Sequence, residues 1–197
     1  MSLREFEESP LVVGAGGLWR EATEAEFLSA IHDGNLPREA FQRWLVQDYS
    51  FAKGLATFQA IAVAKTPRSA QKVLIGGLSA LDAELEWLEQ NAQRQALDLD
   101  AALHPTCRRY IDCLIASAYT QPFEVLLAVL YGVEASYLCA WSSLEASGPY
   151  RNSSTVGRMA CLWRTCAGFS MFATGTRTSY SKNSSTKSCD TSETSGA

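Results

Sequence analysis

The sequence predicts an all-α protein, an up-down bundle of long helices. Three observations lead there. Apolar residues recur at the helical period in five successive stretches. Glycine and proline stand between those stretches, where helices end and begin. No strand-length alternation rises above this background, and long helices joined by short turns fit no α/β crossover pattern. At 197 residues the chain has the size of one domain, and 47% hydrophobic residues suffice for a sizeable core.

The first helix is expected over Leu18 to His32, with Phe27, Leu28 and Ile31 on one side. HDGNLP breaks it: Gly34 suits a C-terminal cap and Pro37 the start of the next helix. The second helix carries Phe41, Leu45, Asp48, Ala52, Leu55 and Gln59 in period and ends near Thr66-Pro67. The third runs from about Arg68 to Arg94 with a stripe of Leu74, Leu78, Leu81, Leu85 and Leu88. Gly76-Gly77 inside it costs about 1 kcal/mol per glycine in propensity, which predicts a close crossing or a kink. Pro105 opens a fourth helix with Tyr110, Ile111 and Leu114. Pro122 opens a fifth with Val125, Leu126, Val129, Val133 and Tyr137, stopped by Gly148-Pro149. Residues 1–150 thus read as a helical bundle. Residues 151–197 are of different composition, dense in Ser, Thr and Gly.

Composition excludes several roles. A net charge of -4 gives no long-range attraction to nucleic acid or anionic lipid, so neither nucleic-acid nor membrane partners are expected. No run of about 18 apolar residues is read, so no spanning helix is expected. The opening MSLREFEESP lacks a basic region followed by an apolar stretch, so no secretory signal is expected. The six cysteines form no C-x-x-C pair, which favours a reducing, cytoplasmic setting. Two histidines, His32 and His104, rule out a His-rich metal site. No E-x-x-H pair of the di-metal carboxylate bundles occurs, so no metal or other cofactor is expected.

Three carboxylates interrupt the apolar stripes: Asp48, Glu84 and Glu134. A carboxylate on a core-facing stripe must be hydrogen-bonded, paired or neutral. Trp44, Phe51, Tyr110, Tyr137 and Trp141 surround them along the sequence. Phe51 shares a face with Asp48, and Tyr137 and Trp141 share one with Glu134. Carboxylates facing each other across an aromatic-lined interior would hold a flat, nitrogen-rich molecule by stacking and charge-assisted hydrogen bonds. The residues leave alternatives open. Asp48 can instead hold a neighbouring helix start, and Glu134 can pair with Arg108 or Arg109. Glu84, beside Glu86 and Glu89, can face solvent, and the aromatics can fill the core. His32 reads as a helix-end cap and His104 as loop.

The stretch DGNLPREAFQRWLVQDYSFAKGL resembles the signature of the TenA/thiaminase II family. The resemblance continues through ELEWLE, the helix bearing Tyr110, and AVLYGVEASYLCAW, about residues 17–147. It implies the haem-oxygenase-like helical bundle. It also implies that Asp48 contacts the amino and ring nitrogens of a pyrimidine, that Phe51 lines the ring in place of a tyrosine, and that Tyr110 is the site tyrosine of the fourth helix. One family branch carries a nucleophilic cysteine, and the resemblance puts Gly132 at that place. Another branch lacks the cysteine and carries a glutamate two residues later, a pattern Glu134 fits.

The resemblance also implies a last helix with a glutamate near an F-W pair, which this tail does not contain. Reverse-translated and read one base earlier, Arg151 onward can give E-F-I-D-R-W, and Ser181 through Gly196 can give Q-E-L-F-N-E-V-L-R-H-E-R-D-F-W. Both strings are helix-periodic. The expectation is therefore a frameshift near Tyr150–Arg151, leaving 151–197 an aberrant Ser/Thr-rich tail.

The function implied is that of a thiamine-salvage hydrolase, an aminopyrimidine aminohydrolase cleaving a C–N bond of a thiamine breakdown product. Glu134, Asp48 and Tyr110 are the catalytic candidates, and Phe51, Tyr137, Trp44 and Glu84 the substrate-binding ones. A small-molecule pyrimidine and a homo-oligomer, dimer or tetramer, are the expected partners. The rivals are a pyrimidine-binding or regulatory protein without turnover, and an inactive product of such an enzyme gene.

Overall fold

Helix boundaries fall where the punctuation residues stand. The computed structural model describes residues 8–142, which contain helices and no strand. Three short helices come first: α1 (Pro10–Ala15), α2 (Gly17–Thr23) and α3 (Glu26–His32). Four long ones follow: α4 (Arg38–Lys65), α5 (Arg68–Gln95), α6 (Pro105–Thr120) and α7 (Phe123–Ser142). The single first helix expected over Leu18 to His32 is thus two helices, separated at Glu24-Ala25. The backbone of Ala25 is extended, and its carbonyl accepts from Leu28 and Ser29 to start α3. The end expected near Gly148-Pro149 and the expected tail over 151–197 lie outside the described residues.

Gly34 ends α3 as its lack of a Cβ allows, at φ 70°. Its N–H donates to Ile31 O, and the Asn35 N–H to Ala30 O, satisfying two end carbonyls. Proline precedes α4 and α5, where its missing N–H is no loss. Lys65 at the end of α4 donates from Nζ to Tyr119 O (2.9 Å) and Gln121 O (3.1 Å), tying a cation to the negative end of α6. His104, expected in a loop, is the N-cap of α6: its Nδ1 accepts from the Thr106 N–H. His32 lies in the last turn of α3 beside Asp33.

The long α4 is the axis. It packs on α5, α6 and α7, while α7 also meets α2 and α6. Leu55, Phe58, Leu74, Leu81, Leu114, Leu126 and Leu130 form the main core between them. A second, aromatic cluster joins Trp44 to Phe27, Phe41 and Trp141, with ring centroids 6.0, 5.3 and 4.9 Å away. The apolar face of α7 feeds both clusters. By length and composition α7 is apolar enough to cross a membrane, with a mean hydropathy of 1.5 over Phe123–Trp141, although Glu124 and Glu134 interrupt its apolar run. Here Leu126, Leu127, Leu130 and Val133 of that run are buried against the other helices.

Two glycines set the crossings. A Cβ on Gly77 would collide with Gln59 Nε2, which donates to Leu74 O at 2.8 Å. The Gly76-Gly77 signal therefore marks the close α4–α5 crossing. Gly54, whose role the sequence did not show, does the same for α6: a Cβ there would lie 2.8 Å from Ile111 Cγ2. Gly54→Ala should gain up to about 1 kcal/mol in helix propensity. Overpacking against the stiff, β-branched Ile111 outweighs this, at about 1–3 kcal/mol. The expected result is a melting temperature several degrees lower, measured by circular dichroism. A higher one would mean that the helices do not approach this closely.

Candidate active site

The bundle brings α4, α5 and α7 together around one small cavity. Its walls are Asp48, Phe51, Ala52 and Leu55 of α4, Leu81 and Glu84 of α5, and Val133, Glu134 and Tyr137 of α7. Helical spacing explains the set. Asp48, Phe51, Ala52 and Leu55 are three and four apart on α4, as are Leu81 and Glu84, and Val133, Glu134 and Tyr137. The space open to the centre of a water molecule is about 20 Å³, room for about one water.

The Tyr137 hydroxyl donates to Asp48 Oδ2 at 2.9 Å, bridging α7 to α4. Burial pushes the Asp48 carboxyl up to about 7 against the opposing effect of that hydrogen bond. Burial pushes Glu84 up to about 8, helped by the charges of Asp48 and Glu134. The Tyr137 phenol is held well above its ordinary range by burial first and the surrounding carboxylates second. The site thus keeps protons on acids that would be ionised in water.

Five sequence candidates meet here: Asp48, Phe51, Glu84, Glu134 and Tyr137. Tyr110 stands behind Phe51, ring centroids 4.9 Å apart, and is 43% exposed. Trp44 belongs to the aromatic cluster and lines a separate open groove with Gln47, His104 and Cys107 instead. Glu84 does not share the exposed side of Glu86 and Glu89, correcting the solvated alternative; its spacing of three from Leu81 and four from Leu88 carried that signal. Arg108 and Arg109 are exposed, and Arg109 Nη2 donates to Thr106 Oγ1 within α6. Asp48 meets a tyrosine hydroxyl, not a helix start.

Gly132 is exposed, and a Cβ placed on it meets no described atom within 4 Å. Val133 is buried and lines the cavity. Among the described residues, Val133 and not Gly132 faces this cavity. One residue on a helix is a turn of about 100°, so which of two successive positions looks inward is not legible without a packing partner. Leu55, Leu81 and Val133 carry no site signal in the sequence, since an apolar wall and an apolar core have the same pattern.

Residues 15–160 match the model of the TENA/THI-4/PQQC family. The chain belongs to this family. A relative described as a probable bifunctional TENA-E protein, from Glycine max, is 24% identical over 127 residues, 61% of this chain and 56% of that protein. The chain therefore spans little more than half the length of that curated relative. Two solved structures share the TenA fold with TM-scores of 0.73. A TenA homologue from Pyrococcus furiosus is 24% identical, covering 86% of this chain and 85% of its own. A TenA family transcription regulator from Silicibacter sp. TM1040 is 22% identical, covering 84% and 78%. The helical bundle is thus the haem-oxygenase-like one expected of a TenA chain.

Proposed function

We propose that this TenA-family chain acts in thiamine metabolism as an aminopyrimidine aminohydrolase, cleaving an exocyclic C–N bond. The observation that carries this reading is the meeting of Asp48, Glu84, Glu134 and Tyr137, from three helices, on one cavity. Such a site binds a flat ring bearing N–H donors and handles protons. Asp48 accepts from the amino and ring N–H groups of the pyrimidine, oriented by the Tyr137 hydroxyl. Phe51 lines the ring face, backed by Tyr110. Glu134 takes a proton from water as its oxygen attacks the exocyclic carbon, and returns it to the departing amine. Water and amine are thereby exchanged for alcohol and free amine. With no cysteine at position 132 or 133, the water is delivered directly. A cavity with room for about one water must widen to admit the ring.

The test is incubation of the chain with 4-amino-5-aminomethyl-2-methylpyrimidine, followed by mass spectrometry. The hydroxymethyl product and ammonia are expected. Binding without either would favour a ligand-binding protein and overturn hydrolysis. The frame proposal adds a comparison. A gene with one base restored near Tyr150 should give a kcat/KM about 100-fold higher or more, because a wall that excludes water and fixes the substrate is regained. Equal kcat/KM and equal melting would show that residues 151–197 as written are the functional tail.

A further inference from the structure

Three carboxylates from three helices face the cavity: Asp48 of α4, Glu84 of α5 and Glu134 of α7. Among the described residues, the rest of the lining is apolar or aromatic, with no Lys, Arg or His. The three are not equivalent. Asp48 receives the Tyr137 hydroxyl. Glu84, partly buried, receives no hydrogen bond and no ion pair from any described residue. A carboxylate drawn out of water needs a partner, and one left without it at a cavity wall points to a donor that arrives with the ligand. The groups facing Glu84 make the demand sharper. Asp48 on α4 and Glu134 on α7 add like charge, and the Tyr137 phenol is already committed to Asp48. The missing element is a cation. No group of three His, Cys, Asp or Glu among the described residues is arranged to share a metal ion. An organic ammonium, which needs hydrogen-bond acceptors rather than a coordination shell, suits the separated carboxylates.

We propose that Glu84 is the counter-charge for a protonated amine on the bound molecule and selects that cation over a neutral isostere. This rests on the aminohydrolase reading for the identity of the ring, while the selectivity itself follows from the cavity. It divides the labour: Asp48 reads the ring, Glu84 reads the charge of the departing group, and Glu134 handles the proton. Burial and the neighbouring charges keep Glu84 protonated near neutral pH, so the arriving cation drives that proton off to the buffer. Glu84 then stands ionised against the ammonium, and one proton is released per molecule bound.

The experiment is calorimetry on the full chain with two matched pairs of probes. One pair is 4-amino-5-aminomethyl-2-methylpyrimidine and its 5-hydroxymethyl analogue. The other is benzylammonium and benzyl alcohol. Titrations in buffers of different ionisation enthalpy read the proton count. Glu84→Gln should weaken the ammonium member of each pair by about 10–100-fold, the strength of a lost hydrogen bond to a charged group. The neutral member should stay within about twofold, and proton release should vanish. Glu84→Asp should recover part of the preference. Equal loss for both members of a pair, or no loss, overturns the assignment. If the pyrimidines bind and Glu84→Gln does not discriminate, the role of Glu84 falls and the pyrimidine site stands. If only the benzyl pair shows Glu84-dependent selectivity, the pyrimidine reading falls and the charge selection stands. If no probe binds, both fall.

Discussion

Glu134→Gln, made in the frame-restored protein, is expected to lower kcat/KM on an aminopyrimidine amine by about 10²–10⁴-fold, the usual effect of losing a positioned acid–base group. Glutamine keeps the volume and the hydrogen-bonding reach, so packing around Val133 and Tyr137 should hold and the melting temperature should change little. It cannot take the proton of the attacking water or return one to the amine. The loss should therefore fall on kcat, with KM nearly unmoved, because Asp48 and Phe51 still hold the ring. Single-turnover kinetics with a pyrimidine amine measures the chemical step directly. Unchanged turnover would remove Glu134 from the chemistry, and a large rise in KM at constant kcat would make it a binding residue.

The melting temperature of the wild-type chain is expected to fall as pH rises from about 4 to about 8. Both Asp48 and Glu84 have folded-state pKa values raised above their ordinary 3.8 and 4.5, to about 7 and about 8. In the unfolded chain they lose their protons near pH 4, while the folded protein keeps them to near neutrality. Stability therefore falls wherever the folded state binds more protons than the unfolded one. The contribution is complete below about pH 4 and gone above about pH 8, and amounts to a few kcal/mol on the order of the shifts. Glu84→Gln should flatten the upper part of this slope and raise the melting temperature above pH 8, where the wild type must carry a buried charge. A residue kept for ligand binding at the expense of stability behaves this way. A wild-type melting temperature that rose across the same interval, in scans of unchanged reversibility, would mean that these carboxyls titrate as exposed groups.

The long helices were legible because their signals are local. Pro37, Pro67, Pro105 and Pro122 stand just before or at the starts of α4, α5, α6 and α7. The stripe of Leu74, Leu81 and Leu88 shows directly in the pattern and is buried. The break at Glu24-Ala25 was not legible, since neither glycine nor proline marks it. At the site, Asp48, Phe51 and Glu134 stood out as breaks in apolar stripes or as family positions. The remaining features are products of packing between helices. Gly54 reveals its purpose only when Ile111 lies against it, and Trp44 is aromatic in either place. Whether Glu84 faces water or a cavity, and whether 132 or 133 looks inward, depends on about a third of a turn. Periodicity over a helix without a known neighbour does not resolve that.

The two glycine notches divide the bundle mechanically. At Gly77 and Gly54 a side chain of the neighbouring helix, Gln59 or Ile111, fills the space a Cβ would take, so sliding α4 against α5 or α6 would drive that side chain into main chain. Among the described residues no comparable notch joins α4 to α7: across the cavity the Tyr137–Asp48 hydrogen bond links them. Sliding is thus more restricted between α4 and its neighbours α5 and α6 than between α4 and α7. If the cavity breathes, it does so by α7 moving, and one released tyrosine hydroxyl is the trigger. A molecule that takes over Asp48 loosens the very bond that kept it out. Entry and anchoring become one event, and the breathing rate of a single helix sets the fastest rate at which the site can fill.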